Sequence, residues 1–108
     1  MVTQVKQCAE VSTLIKSIDD FLADKSDPLA FSYDFPNEII ENAQAIKAFD
    51  PQLFSLVNEE LPDICYWYED DADYDPSSEV LDLPHFKMKV SEQKALILSY
   101  MSEKGIIA

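Results

Sequence analysis

Apolar residues recur at intervals of three and four along much of the chain. From residue 4 to 24, Val5, Cys8, Val11, Leu14, Ile15, Ile18, Phe21 and Leu22 fall on one side, with Lys6, Glu10, Lys16, Asp19 and Asp20 on the other. That spacing predicts an amphipathic helix. Asp27-Pro28 opens a second helix: Asp caps free amides, and Pro fits the first turn because no donor is needed there. Phe31 and Phe35 anchor it one turn apart, and Pro36 is expected to break or kink it. Asn37 would then cap residues 38 to 48, whose apolar stripe is Ile39, Ile40, Ala43 and Ile46. Asp50-Pro51 repeats the start signal and predicts a third helix from 51 to about 69, kinked at Pro62. Its buried side would carry Leu53, Phe54, Leu56, Val57, Leu61, Ile64, Cys65 and Tyr68.

The stretch from 70 to 90 follows another rhythm. Asp75-Pro76 suggests a turn, and Phe86, Met88 and Val90 alternate with Lys87 and Lys89 as in a strand. A partner for it could come only from Val80 to Leu83. A last helix is expected from the Ser91 cap to about residue 103, with Lys104 in its final turn and Gly105 beyond. The expected architecture is all-α: a four-helix bundle with a kinked second helix and a small two-stranded element at 79–90.

The chain of 108 residues has the size of one domain and is long enough to fold without a staple. It has no apolar run of membrane-spanning length. Met1 to Glu10 lacks the pattern of a signal peptide. Cys8 and Cys65 lie far apart without metal-ligand spacing, which predicts two buried thiols in a cytoplasmic protein.

Charge changes the picture most. There are 21 Asp and Glu against 8 lysines and no arginine, a net charge of -13. Such a field repels nucleic acid and anionic membranes and speeds encounter with basic surfaces. The competing reading is solubility alone. Gly105 is the single glycine, which disfavours phosphate loops, nucleophile elbows and folds with many tight turns.

Between Glu59 and Asp82 lie Glu59, Glu60, Asp63, Glu69, Asp70, Asp71, Asp73, Asp75, Glu79 and Asp82, and no cation occurs between Lys47 and His85. Tyr66-Trp67-Tyr68 sits within this run, with Tyr74 close behind. Successive helical residues point about 100° apart, so the three rings cannot all face one core. An exposed ring among carboxylates suits a cationic protein partner. The alternative is a core Trp67 beside a solvated acidic loop. Asp71-x-Asp73-x-Asp75 also matches the first ligands of a calcium loop. However, Pro76 stands where glycine is needed and Asp82 where a bidentate Glu belongs. His85 is the single histidine, with no recognisable nucleophile set around it. No enzyme activity, cofactor or metal is expected.

Phe21-Leu22-Ala23-Asp24-Lys25, Ala30-Phe31-Ser32, Asn58-Glu59-Glu60-Leu61, Tyr68-Glu69-Asp70-Asp71-Ala72-Asp73 and the stretch Lys87 to Tyr100 occur in an order that resembles the colicin D immunity proteins and their relatives in contact-dependent growth inhibition. The resemblance runs over roughly residues 14 to 103. Pro36, Pro62 and the segment Pro76 to Pro84 depart from its pattern. It implies a helical bundle, monomeric or weakly dimeric, that covers the basic active site of a tRNA-cleaving toxin domain with RNA-mimicking carboxylates. Glu69, Asp70, Asp71, Asp73 and Asp75 would be the mimic, Trp67 and Tyr68 the anchors, with Glu59, Glu60, Asp63 and Tyr74 beside them. A DNA mimic would use the same electrostatics, but with carboxylates spread along one long face.

Overall fold

The computed structural model describes residues 6–70, 77 and 79–107. The protein is mainly α. Its helices are α1 (Ala9–Leu22), α2 (Pro28–Phe49), α3 (Pro51–Glu59), α4 (Leu61–Trp67) and α5 (Leu83–Glu103). α2 packs against α1, α3 and α4, and α5 packs against α1, α3 and α4. The arrangement is a bundle of four arms in which α3 and α4 are successive pieces of the third.

α1 buries Val11, Leu14, Ile15, Ile18 and Phe21, the stripe its spacing predicts. It starts later than expected. Lys6–Gln7 (β1) are extended and pair in parallel with Ile106–Ile107 (β2), Lys6 opposite Ile106 and Gln7 opposite Ile107. Two-residue strands so far apart in the chain leave no periodic trace. α1 ends with Asp24 at φ 62; the Asp24 amide donates to the Phe21 carbonyl and the Lys25 amide to that of Asp20. This is a Schellman ending with Asp in the position glycine usually takes.

α2 runs unbroken through Pro36, so the expected break there and the Asn37 cap are both corrected. Proline inside a helix costs roughly 3 kcal/mol. Against that, Phe31, Phe35, Ile39 and Ile46 are buried on the core face. Burial of one such side chain contributes about 1.5–3 kcal/mol, so two of them offset the proline. Asn37 lies within the helix, where its side-chain amide donates to the Tyr33 carbonyl at 3.3 Å.

The third arm divides at Glu60, instead of running to residue 69 with a kink. Pro62 sits in the first turn of α4, the place where its missing N–H costs nothing. The expected strand at 86–90 and the Ser91 cap are also corrected. α5 begins at Leu83, capped by Asp82, whose Oδ1 accepts from the His85 amide at 3.0 Å. Phe86 and Val90 are buried while Met88 is 48% exposed, so the spacing of four carries the burial and the alternation does not. Among the described residues the extended remnant of the 79–90 element is the bridge of Tyr68 with Leu81.

Rings fill one end of the core. Phe21 stacks on Phe31 with centroids 4.2 Å apart, Phe31 on Phe35 at 4.8 Å, and Tyr68 on Phe86 at 4.5 Å. Phe86 also meets Phe21 at 4.8 Å. α1, α2, α5 and the exit from α4 therefore meet in one aromatic cluster. Each ring pair adds about 0.5–1.5 kcal/mol beyond burial.

Candidate functional site

α4 is short, and its faces diverge quickly. Leu61, Ile64 and Cys65 point inward. Tyr66, one residue on, is 84% exposed, and Trp67 is half-buried. At Tyr68 the chain leaves the helix for extended geometry, φ -74 and ψ 131. That turn drives the Tyr68 ring into the core at 6% exposure, where it stacks on Phe86. Its hydroxyl donates to Asp70 Oδ1 at 2.8 Å.

Two backbone hydrogen bonds pin this exit. The Leu81 amide donates to the Trp67 carbonyl at 2.8 Å, and the Glu69 amide donates to the Leu81 carbonyl at 3.2 Å. Leu81 is followed directly by the α5 cap, where His85 Nδ1 lies 2.5 Å from Asp82 Oδ1. Burial works to raise the Asp82 carboxyl. The hydrogen bonds from the His85 ring and amide outweigh it, and the carboxyl lies below its ordinary 3.8. The ends of the acidic stretch are thus held by ordered backbone and one cap.

Between α2 and α4 lies a groove of about 590 Å³. Ser32, Tyr33 and Pro36 line its α2 side; Pro62, Tyr66 and Trp67 line its α4 side; Glu69 and Val80 line it as well. Tyr33 is 70% exposed and Ile40, two helical turns along the same face, is 71% exposed. Glu59, Glu60, Asp63, Glu69 and Asp70 are all exposed on the segment that carries Tyr66. Four of the lysines are engaged elsewhere. Lys87 pairs with Asp24 and Lys94 with Asp19, while Lys47 lies over the Phe54 ring and Lys104 over Tyr100.

Of the residues expected to form a site, these five acids are each exposed, Trp67 borders the groove, and Tyr68 belongs to the core. Asp71, Asp73, Tyr74 and Asp75 lie outside the described residues, as does the calcium-loop reading that rests on them. Among the described residues no three His, Cys, Asp or Glu side chains gather as a metal site. The sequence marks neither Tyr33 nor Pro36 as a site residue, and Tyr66 only as one of three rings that cannot all face one core. Tyr33 did carry a signal: it is an aromatic two positions off the Phe31–Phe35 stripe, hence on the opposite side of its helix.

Cys65 is buried, and burial pushes its thiol up to about 12. Burial also raises Cys8, beyond the hydrogen bond its Sγ gives to Glu10. A Cys65–His85 pair would need a thiolate, and Cys65 stays protonated. Among the described residues no helix is long and apolar enough to cross a membrane. No protein-family model matches the chain, nor does any curated protein or solved structure.

Proposed function

We propose that this protein binds and neutralises a basic toxin nuclease in the bacterial cytoplasm, in the manner of the colicin D immunity proteins it resembles in sequence. The observation that carries the reading is Tyr66. A tyrosine 84% exposed is a large apolar surface left to water, and in the sequence it is flanked by the exposed Glu59, Glu60, Asp63, Glu69 and Asp70 on a stretch without a cation from Lys47 to His85. Aromatic area at the centre with like charges at the rim is the composition of a hot spot for an oppositely charged partner. A nuclease arranges Lys and Arg for phosphates, and carboxylates occupy such positions through charge-assisted hydrogen bonds. The concentration of acids around one short helix suits a plug for a single active site better than a copy of duplex DNA.

The test is calorimetry against the product of the neighbouring open reading frame, expected to be a toxin with a basic C-terminal domain, at low and moderate salt. Tight binding that weakens steeply with salt, and toxin activity abolished at equimolar protein, is the expected result. Absence of binding at low salt overturns the reading.

A further inference from the structure

The groove between α2 and α4 has features that acidity alone does not require. Its two rims carry one tyrosine each, Tyr33 and Tyr66, at 70% and 84% exposure. Such openness argues against a free small ligand, since those are held in sites that bury most of their surface. It suits a side chain delivered by a larger partner. Between the rims, Pro36 and Pro62 offer apolar surface beside the half-buried Trp67. Glu69, an exposed residue, also lines the groove. Its backbone is nevertheless fixed by the bond to Leu81.

We infer that this groove is an anchor pocket for an arginine side chain of the basic partner, and this deepens the function proposed above. The lining suits that residue. An arginine stem packs against apolar surface while its head reaches for charge. A guanidinium stacks on tyrosine faces and pairs with a carboxylate through two parallel hydrogen bonds, which an ammonium cannot do. The groove therefore supplies what the surrounding acids lack, a fixed position. The acids attract any cation; Tyr33, Tyr66 and Glu69 select one and orient it.

Trp67 is the only tryptophan in the chain and it lines the groove, so its fluorescence reports occupancy directly. The probes are blocked triarginine, trilysine and tricitrulline peptides, the last being the neutral isostere of the first. Triarginine is expected to change Trp67 emission saturably, and tricitrulline to leave it unchanged. Tyr33→Ala with Tyr66→Ala preserves every charge and replaces two exposed rings, so folding is retained. It is expected to weaken triarginine binding roughly tenfold. Glu69→Gln should weaken it and flatten its salt dependence. The inference is overturned if the double variant binds triarginine as the parent does, if tricitrulline acts alike, or if trilysine binds as tightly. The two readings fail separately. A toxin domain that binds in a salt-sensitive way without any triarginine response removes the groove assignment and leaves the immunity function. A triarginine response without toxin binding does the reverse.

Discussion

The Tyr100 hydroxyl donates to Asp50 Oδ2 at 2.8 Å, while Oδ1 of the same carboxylate accepts from the Gln52 and Leu53 amides at 3.0 and 3.2 Å. One side chain thus caps α3 and ties it to α5, and each oxygen has its own task. Burial works to raise the Asp50 carboxyl. The Tyr100 hydroxyl, the two amides and the charge of Lys104 together outweigh it, so it lies below the ordinary 3.8.

A depressed folded value means that the ionised cap stabilises the fold above pH 3.8 and loses that contribution as pH falls through the lower folded value. Asp50→Ala removes the cap and should cost about 1 kcal/mol at neutral pH. Asp50→Asn keeps an acceptor but no charge. Urea titrations of the parent and Asp50→Asn should differ at neutral pH and converge in acid. Tyr100→Phe should move the Asp50 carboxyl back toward its ordinary range, as read by NMR titration.

Two neighbouring tyrosines should behave oppositely. Tyr68→Ala opens a hole beside Phe86 and should destabilise by about 3–5 kcal/mol. Tyr66→Ala should leave stability within about 0.5 kcal/mol. Thermal melts of the two variants separate them, and toxin binding by Tyr66→Ala, weakened without loss of fold, links the exposed ring to function.

Gly105 ends α5 at φ 69, and a Cβ there would meet no atom within 4 Å. Gly105→Ala therefore costs only the conformational penalty of the left-handed region, about 1 kcal/mol. A loss much larger than that in a denaturant titration would mean that the β1–β2 pairing beside Gly105 is disturbed as well, because the Lys6 amide bonds to the Gly105 carbonyl.

Cys65 should be silent toward alkylating reagents while the chain is folded. A value pushed from 9.0 to about 12 makes its thiolate fraction near pH 8 roughly a thousandfold smaller than that of an exposed thiol, and burial blocks access besides. Mass spectrometry after labelling in buffer and in urea should find Cys65 modified only in urea.

The local word predicts what local physics controls. The apolar spacing of α1, the Asp27 and Asp50 caps and the glycine after α5 are all interactions among residues within a few positions of one another, so they stand in the structure as the sequence implies. The acidic run needs no folding to be seen, because charge is a property of composition. Tertiary packing decided the rest. Pro36 lies within a continuous helix because Phe35 and Ile39 gain more by burial than the proline costs. The stretch 86–90 satisfies a period of two and a spacing of four alike, and only the core, by taking Phe86 and Val90 and leaving Met88, chose the helix. Asp82-x-Pro84 was a start signal of the same kind as Asp50-Pro51, shifted by one residue. For Tyr66-Trp67-Tyr68, the 100° rotation between residues ensured that the rings would part company. Which ring reached the core depended on Phe86 and Leu81, more than a dozen positions away, and the energy that settles such a choice does not exist until those distant side chains arrive.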